Sequence, residues 1–270
     1  MLKFKEKISR RAAHDMILLF ARHGNHYDET DFKSDADVKR VFANNGINFE
    51  KLVMDCRDLK QAVPFFENFI PSTAFFMGDV EMSRVNSTTG DEDLTTKSPG
   101  SLVMQGYWAS FESAIEARDR AVQKSSYTEY LSAVTSGMAS IEGYINYQAE
   151  FWNKKRKDQS LIDSFTTKVS LNDKFDTWIP AMAQGKKLDK GGINWTHFKI
   201  IKSIRDDLAI HPKSSGYGIS FYDLAEKINL FRTGIAGLLI QLHLLFNEKI
   251  PQIIIRAAYV PDVEVVVTND

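Results

Sequence analysis

Residues 128–156 read TEYLSAVTSGMASIEGYINYQAEFWNKKR and carry a regular apolar pattern. Large apolar side chains recur at intervals of three and four residues, with Gln148 in the one polar position of the series. This spacing puts them on one side of an α-helix, so the stretch predicts one long helix that packs lengthwise against another. The apolar series is Leu131, Val134, Met138, Ile141, Ile145 and Trp152, and the small residues beside it that permit close approach are Ser136, Gly137, Ser140 and Gly143.

The rest of the second half of the chain also favours helices. Pro180 is expected to bend or restart one of them, and the turn-rich segment 185–194 predicts a loop. Residues 252–267 (QIIIRAAYVPDVEVVV) carry β-branched side chains around a Pro-Asp turn, which predicts a pair of strands. The predicted helices lie at 102–123, 171–184, 195–210 and 220–248.

The first hundred residues have a mixed pattern. Helices are predicted at 10–23 and 35–61, and alternation within 75–85 predicts a short strand that could join the C-terminal strands. The stretch 83–100 is rich in Ser, Thr, Gly and Asp and predicts a linker. The chain is therefore expected to be mainly α, with an N-terminal α+β region (1–100), a helical domain (101–250) and C-terminal strands (251–270) that complete a small flanking β-sheet.

Composition and charge indicate an ordinary globular protein. The 270 residues are 43% hydrophobic with a net charge of −1, so no global attraction to nucleic acid or to an anionic membrane is expected. Across 151–215, however, 13 Lys or Arg face 7 acidic residues, which indicates an anionic partner or, alternatively, a solvated basic face. Cys56 is the only cysteine, and the apolar run Ile235–Phe246 is too short to span a bilayer. With no signal peptide either, a cytoplasmic protein is expected.

Several signatures of enzyme chemistry are absent from the sequence. It has no HExxH, no complete phosphate-binding glycine loop, no dinucleotide-binding glycine pattern and no GxSxG. The acidic groups Asp35–Asp37 and Asp91–Asp93 lack EF-hand spacing, so they predict solvated loops in preference to a metal site. Neither a metal nor a cofactor is expected.

The segment Ile200–Lys213 (IIKSIRDDLAIHPK) is where the sequence suggests chemistry. Arg205 precedes His211 by six residues near the predicted end of a helix, and Asp206 directly follows the arginine. Because Pro212 comes next, His211 is expected to leave helical geometry and to turn back toward Arg205. The basic residues in and beside this segment are Lys199, Lys202 and Lys213.

An arginine, a polar residue and a histidine at this spacing resemble the signature motif of HEPN domains. The stretch 139–152 (ASIEGYINYQAEFW) resembles the long helix that opens many of these domains, and 174–189 (KFDTWIPAMAQGKKLD) resembles their intervening helix and loop. The resemblance covers about residues 125–250, roughly half of the chain. It implies a C-terminal HEPN-like helical bundle.

The resemblance also implies a metal-independent endoribonuclease that acts as a homodimer through the helical domain. His211 would transfer protons, because the reference pKa of histidine lies near neutrality. Arg205 would stabilise charge on the scissile phosphate, and Asp206 would orient one of the two. RNA cleavage would leave 2′,3′-cyclic phosphate ends, and the family implies a phage-defence or toxin effector with an inhibitory protein partner. The residues implied to bind RNA are Lys199, Lys202 and Lys213.

Other interpretations stay open. Members paired with a nucleotidyltransferase antitoxin often carry a tyrosine where this chain has Lys213, so control through a modified tyrosine is not expected. Asp206 and Asp207 could neutralise Arg205, which would suit a non-catalytic module that binds RNA or a protein. A third class is a helical interaction protein without a role on nucleic acid, in which His211 only caps the last carbonyls of its helix.

Three further positions have two interpretations each. Trp195 and His197 lie on the motif helix, where they either stack on a base or pack inside the protein. Packing inside the protein is the favoured interpretation. Glu142 lies on an apolar helix face and is either the partner of a buried basic residue or a solvated position.

Overall fold

The computed structural model describes residues 1–24, 32–58, 61–62, 83–85, 92–94, 106–156, 169–207 and 219–267. Within these ranges the chain is mainly helical, as the sequence predicts. The α-helices are α1 (Arg10–Leu19), α2 (Asp35–Asn44), α3 (Phe49–Asp55), α4 (Gly106–Gln123), α5 (Tyr127–Lys155), α6 (Leu171–Asp173), α7 (Ile179–Met182), α8 (Ile193–Arg205), α9 (Phe221–Phe231), α10 (Leu238–Leu245) and α11 (Gln252–Ala258). Turns of π-helix follow α1 (Phe20–Gly24), join α6 to α7 (Lys174–Trp178) and join α9 to α10 (Arg232–Gly237), and the strands are β1 (Leu2–Phe4), β2 (Ser83–Val85), β3 (Glu92–Leu94) and β4 (Val263–Val265).

Helices α4 and α5 form an antiparallel pair. A short turn joins them, and Ser126 caps α5 by accepting a hydrogen bond from the backbone N–H of Glu129 (3.3 Å). The pair approaches closely at Gly143, where a Cβ atom would lie 3.2 Å from the Cα of Tyr107. The predicted long helix and its apolar seam are confirmed. Four seam residues are buried and the two end residues are partly buried; the buried ones are Val134, Met138, Ile141 and Ile145.

Helix α8 packs against the π-helical turn between α9 and α10. The contact is closest at Gly234, where a Cβ atom would lie 2.8 Å from the carbonyl carbon of His197 and 2.9 Å from the backbone nitrogen of Phe198. This packing holds the middle of α8 against the turn, and Arg205 is the last residue of the helix. The buried side of α8 consists of Trp195, Phe198, Ile201 and Ile204.

The segment around Pro180 behaves as predicted. Residues 171–184 are helical in pieces, with a π-helical turn ahead of α7 and the proline in the first turn of α7. A proline there lacks an N–H that the first turn would not use, so the helix restarts at that point.

The helix predicted over 35–61 is wrong in its extent. It divides into α2 and α3, because Gly46 adopts the left-handed region (φ +72°) and ends the first helix. Asn48 then caps the second helix by accepting a hydrogen bond from the backbone N–H of Lys51 (3.0 Å). The Asn-Gly and Asn signals were present in the sequence, and they outweigh the apolar periodicity that runs across them.

The strand pair predicted over 252–267 is also wrong. The first half is the helix α11, in which Ile254, Ile255 and Ala257 are buried. Burial of this apolar face outweighs the strand preference of the β-branched side chains. The second half is β4, which pairs antiparallel with β1, so that Leu2 lies opposite Val265. A small flanking sheet is present, but its partner strand is the N-terminus of the chain.

Strand β2 overlaps the end of the strand predicted within 75–85, and it pairs with β3 in a second antiparallel sheet. Both strands fall inside the predicted linker 83–100, so the described parts of that stretch have regular structure. Its other residues lie outside the described ranges.

One apolar core includes described residues from the N-terminal, central and C-terminal thirds of the chain, from Leu2 to Val263. The division at 100 and 250 stays a prediction. The continuous helix Phe221–Leu245 has the length and composition of a membrane-spanning helix, although 61% of its most apolar stretch is buried inside the protein. The core helix of a soluble protein passes the same test.

Candidate active site at the end of helix α8

Arg205 and Asp206 form an ion pair at the C-terminal end of α8. The Nε and Nη2 atoms of Arg205 donate hydrogen bonds to Oδ1 of Asp206, at 2.9 and 2.7 Å. The other carboxylate oxygen accepts a hydrogen bond from Nζ of Lys202, one helical turn earlier, at 2.6 Å. Asp206 thus bridges two cations. The guanidinium is held through two of its three nitrogens, and Nη1 is not part of this ion pair.

The electrostatics of this network favour an ionised carboxylate. Burial acts to raise the pKa of Asp206, but the hydrogen bonds from Lys202 and Arg205 outweigh burial, and the pKa lies below its ordinary value. Asp206 is therefore charged at neutral pH. Its geometry and charge suit the orientation of Arg205 better than the transfer of a proton.

The other residues predicted for the site are in different surroundings or lie outside the described residues. Lys199 is exposed on α8, whereas the ammonium group of Lys202 is engaged by Asp206. His211 and Lys213 lie outside the described residues. The structure therefore brings Arg205, Asp206 and Lys202 together, and the approach of His211 stays a prediction.

Asp207 is not part of the network around Arg205. Its carboxylate accepts a hydrogen bond from Oγ of Ser203 at 3.2 Å, and the residue is exposed. The two adjacent acids thus have distinct environments, which makes Asp207 a suitable control for Asp206.

Trp195 belongs to the packed interior of the helical region, and His197 is half-buried. The Trp195 ring is 8% exposed and lies 5.0 Å from the ring of Phe175. Nδ1 of His197 lies 2.5 Å from the hydroxyl oxygen of Thr233. Burial and then the charge of Arg232 lower the pKa of His197, which favours a neutral imidazole. The interpretation of Trp195 as a core residue is confirmed.

Glu142 is the partner of a buried lysine. Nζ of Lys174 donates a hydrogen bond to Oε1 of Glu142 at 2.5 Å, and the lysine side chain is only 8% exposed. The ammonium group also lies 5.3 Å from the centre of the Trp178 ring, a cation–π distance. Of the two interpretations of Glu142, the structure supports the buried pair.

The acidic groups considered for metal binding have other partners. Asp35 and Asp37 lie in the first turn of α2 and not in a loop; Asp35 pairs with Arg22 at 3.1 Å, and Asp37 accepts the backbone N–H of Ser34 at 3.0 Å. Asp91–Asp93 lies beyond the described side chains. Among the side chains that are described, no cluster of three or more His, Cys, Asp or Glu has a metal-binding arrangement.

A second candidate region was not found from the sequence. Arg118 lines a cavity between α4 and α11, and it is 4% exposed. A signal for it existed, because Arg118 lies at helical spacing from Phe111, Ala114 and Ala121, which are all buried. An arginine on the apolar side of a helix is rarely buried without a compensating partner.

The network at the end of α8 can hold an arginine side chain in a fixed position at a helix end. An ionised guanidinium held in this way suits stabilisation of a phosphate group. No protein-family model, curated protein or solved structure matches the chain.

Proposed function

We propose that the chain is a metal-independent endoribonuclease of HEPN type, with Arg205 and His211 as its catalytic residues. The observation that supports this most is the ion-pair network of Arg205, Asp206 and Lys202. It gives the arginine of the motif a fixed position at a helix end and leaves one of its nitrogens outside the pair. The proposal includes a role in phage defence or as a toxin under an inhibitory partner.

Arg205 would act on the scissile phosphate through Nη1. A guanidinium that is already oriented stabilises the negative charge of the transition state without reorganising during the reaction. Asp206 supplies that orientation by accepting hydrogen bonds from Nε and Nη2 of Arg205. We therefore describe it as a positioning residue. Its negative charge also reduces the local attraction for RNA, so the orientation of Arg205 comes together with a lower affinity for RNA.

His211 would carry the protons. As a general base it removes the proton from the ribose 2′-hydroxyl, whose oxygen attacks the adjacent phosphorus while the bond to the 5′-oxygen breaks. The protonated imidazole then gives a proton to the departing 5′-oxygen, which leaves a 2′,3′-cyclic phosphate and a 5′-hydroxyl. His211 follows Asp207 by four residues, and four residues span at most about 14 Å, so the chain length permits this approach.

The same proposal includes RNA binding and a homodimer. Lys199, which is exposed on α8, would contact the RNA backbone together with Lys213, and Lys202 would act mainly through Asp206. Ile193 and Ile200 are exposed at 57% and 41% and lie two helical turns apart, on one side of α8. An apolar strip of this kind supports a contact between two copies of the helical domain.

Asp206→Asn is expected to have opposite effects on the rate of RNA cleavage and on the affinity for RNA. The variant loses the charge that holds Arg205, so the rate of cleavage at saturating RNA should fall about ten-fold. RNA affinity should rise in the same variant, because one negative charge near the substrate is removed. Single-turnover kinetics over a range of RNA concentrations give both quantities.

Asp207→Asn is the matched control for this experiment. It removes the same charge at the next position but leaves the contacts of Arg205 intact. The expected result is a similar rise in affinity with an unchanged rate. If both variants lose the rate equally, or neither does, Asp206 has no positioning role.

A second candidate is a non-catalytic module that binds RNA. The observation in its favour is that Asp206 engages both Arg205 and Lys202, which lowers the positive charge available to a phosphate. Such a module would bind RNA through Lys199 and neighbouring cations without cleaving it.

Incubation of the full chain with end-labelled tRNA and total RNA in EDTA tests both candidates. Cleavage with 2′,3′-cyclic phosphate and 5′-hydroxyl ends supports the nuclease. Retention of intact RNA, with binding lost in Lys199→Ala by fluorescence anisotropy, supports the binding module. Cleavage that requires Mg²⁺ contradicts the metal-independent mechanism, and a chain that neither binds nor cleaves RNA contradicts both proposals.

A further inference from the structure

A cavity of about 680 Å³ lies where four parts of the chain meet. Its walls come from the end of β1 and the residues after it, from Asp58 after α3, from α4, and from α11 with the segment that follows it. Small-molecule sites commonly have volumes of about 300–1,000 Å³ and form where separate parts of a fold meet. The residues of the proposed nuclease site, Arg205, Asp206 and Lys202, do not line this cavity.

Arg118 is a buried charge in the wall of the cavity. Its Nε and Nη2 atoms donate hydrogen bonds to Oδ1 of Asp119 at 2.9 and 2.8 Å. The rings of Phe4 and Phe231 lie 5.7 and 5.6 Å from the guanidinium carbon, at cation–π distances. These contacts stabilise the charge, but Nη1 is buried and has no hydrogen-bond partner in the described part of the chain. A buried N–H group without an acceptor is unfavourable, so the guanidinium is only partly compensated and places a positive charge in the wall of the cavity.

The other charged residues of the cavity restrict the ligand. Arg256 lines it from the exposed side of α11 and has no ion-pair partner among the described residues, and Lys7 is exposed beside it. The acidic residues Glu6, Asp58 and Asp119 line the same cavity. Acids of this kind repel a polyanion such as RNA or a polyphosphate, whereas one anionic group near the two arginines is favoured.

The remaining wall is apolar. Ile115 on α4, Ile253 on α11 and Val260 after α11 contribute aliphatic surface to the cavity. A ligand that fills this volume therefore gains from an apolar body in addition to its charged group.

We propose that this cavity binds a small organic anion, in which a single carboxylate or phosphate group contacts Arg118 and Arg256 and an apolar body packs against Ile115 and Ile253. The site is separate from the proposed nuclease residues, so it stands or fails independently of RNA cleavage.

Titration of the full chain with 8-anilinonaphthalene-1-sulfonate, followed by its fluorescence, tests this proposal. The dye combines one anionic group with an aromatic body, and 1-anilinonaphthalene is its neutral analogue. We expect saturable binding of the sulfonate, at least about ten-fold weaker binding of the neutral analogue, and a similar weakening in Arg256→Ala. Lys51→Ala, which removes an exposed cation of α3 outside the cavity, should bind like the unaltered chain.

Competition identifies the anionic group. Displacement of the dye by phenyl phosphate at lower concentration than by benzoate indicates a phosphate monoester, and the reverse order indicates a carboxylate. Arg118→Met should abolish binding; because that side chain is buried, its fold is checked by circular dichroism, and the exposed Arg256 variant decides the question if Arg118→Met does not fold. Equal affinity for the charged and neutral dyes, an unchanged affinity in Arg256→Ala, or no displacement by either competitor would overturn the proposal.

Discussion

RNA cleavage by the His211→Ala and Arg205→Ala variants is expected to be at least about 100-fold slower than cleavage by the unaltered chain. A positioned general acid or base typically contributes about 10²–10⁴-fold to a rate. A preorganised donor that stabilises transition-state charge contributes about 10²–10³-fold. Because both residues would act in one step, the double variant should cleave RNA only a little more slowly than the slower of the two single variants. Initial rates on end-labelled RNA in EDTA measure all three.

The controls for this experiment show whether a lower rate results from a lost positive charge or a lost fold instead of a lost catalytic group. Arg205→Lys retains the positive charge but cannot make the two-nitrogen contact with Asp206, so it should also be strongly impaired. Lys51→Ala, an exposed substitution on α3, should cleave at the normal rate. Circular dichroism establishes that each variant folds. If both alanine variants cleave RNA at the unaltered rate, the catalytic residues lie elsewhere in the chain.

The helical part of the fold could be predicted because its signals are local. The apolar seam of α5 repeats over about six turns, and burial of Met138 and Ile141 follows directly from that period. The segment 252–258 could not be predicted in the same way. Its isoleucines favour a strand when only neighbours in sequence are considered, and the helix results from burial of Ile254 and Ile255 against other parts of the chain.

The candidate sites differ in the same respect. The pair of Arg205 and Asp206 consists of adjacent residues at a helix end, so the sequence could indicate that the two side chains lie together. The cavity around Arg118 depends on β1, α4 and α11, which are far apart in sequence. Only the position of Arg118 on an apolar helix side was visible beforehand, and that alone does not show which charged residues of distant segments line the same cavity.

Gly234→Ala is expected to lower the free energy of unfolding by about 2–3 kcal/mol. A Cβ atom at this position would lie 2.8 Å from the carbonyl carbon of His197 and 2.9 Å from the backbone nitrogen of Phe198. Backbone atoms of a packed helix cannot rotate away, so α8 would have to move as a unit. For a chain of this size the change corresponds to a decrease in Tm of roughly 4–6 °C, measured by circular dichroism during heating.

Gly137→Ala is the matched control, because it adds the same methyl group at another close helix contact. There the Cβ atom would lie 3.1 Å from side-chain atoms of Ile235 and Phe231, and side chains can adjust by a few tenths of an ångström. Alanine also favours a helix over glycine by about 1 kcal/mol, which offsets the remaining strain, so the Tm should stay within about 2 °C of the unaltered value. If Gly234→Ala were as stable as Gly137→Ala, α8 would not be held by backbone contact with the π-helical turn. In that case the fixed position of Arg205 would have to come from the apolar side of α8 alone.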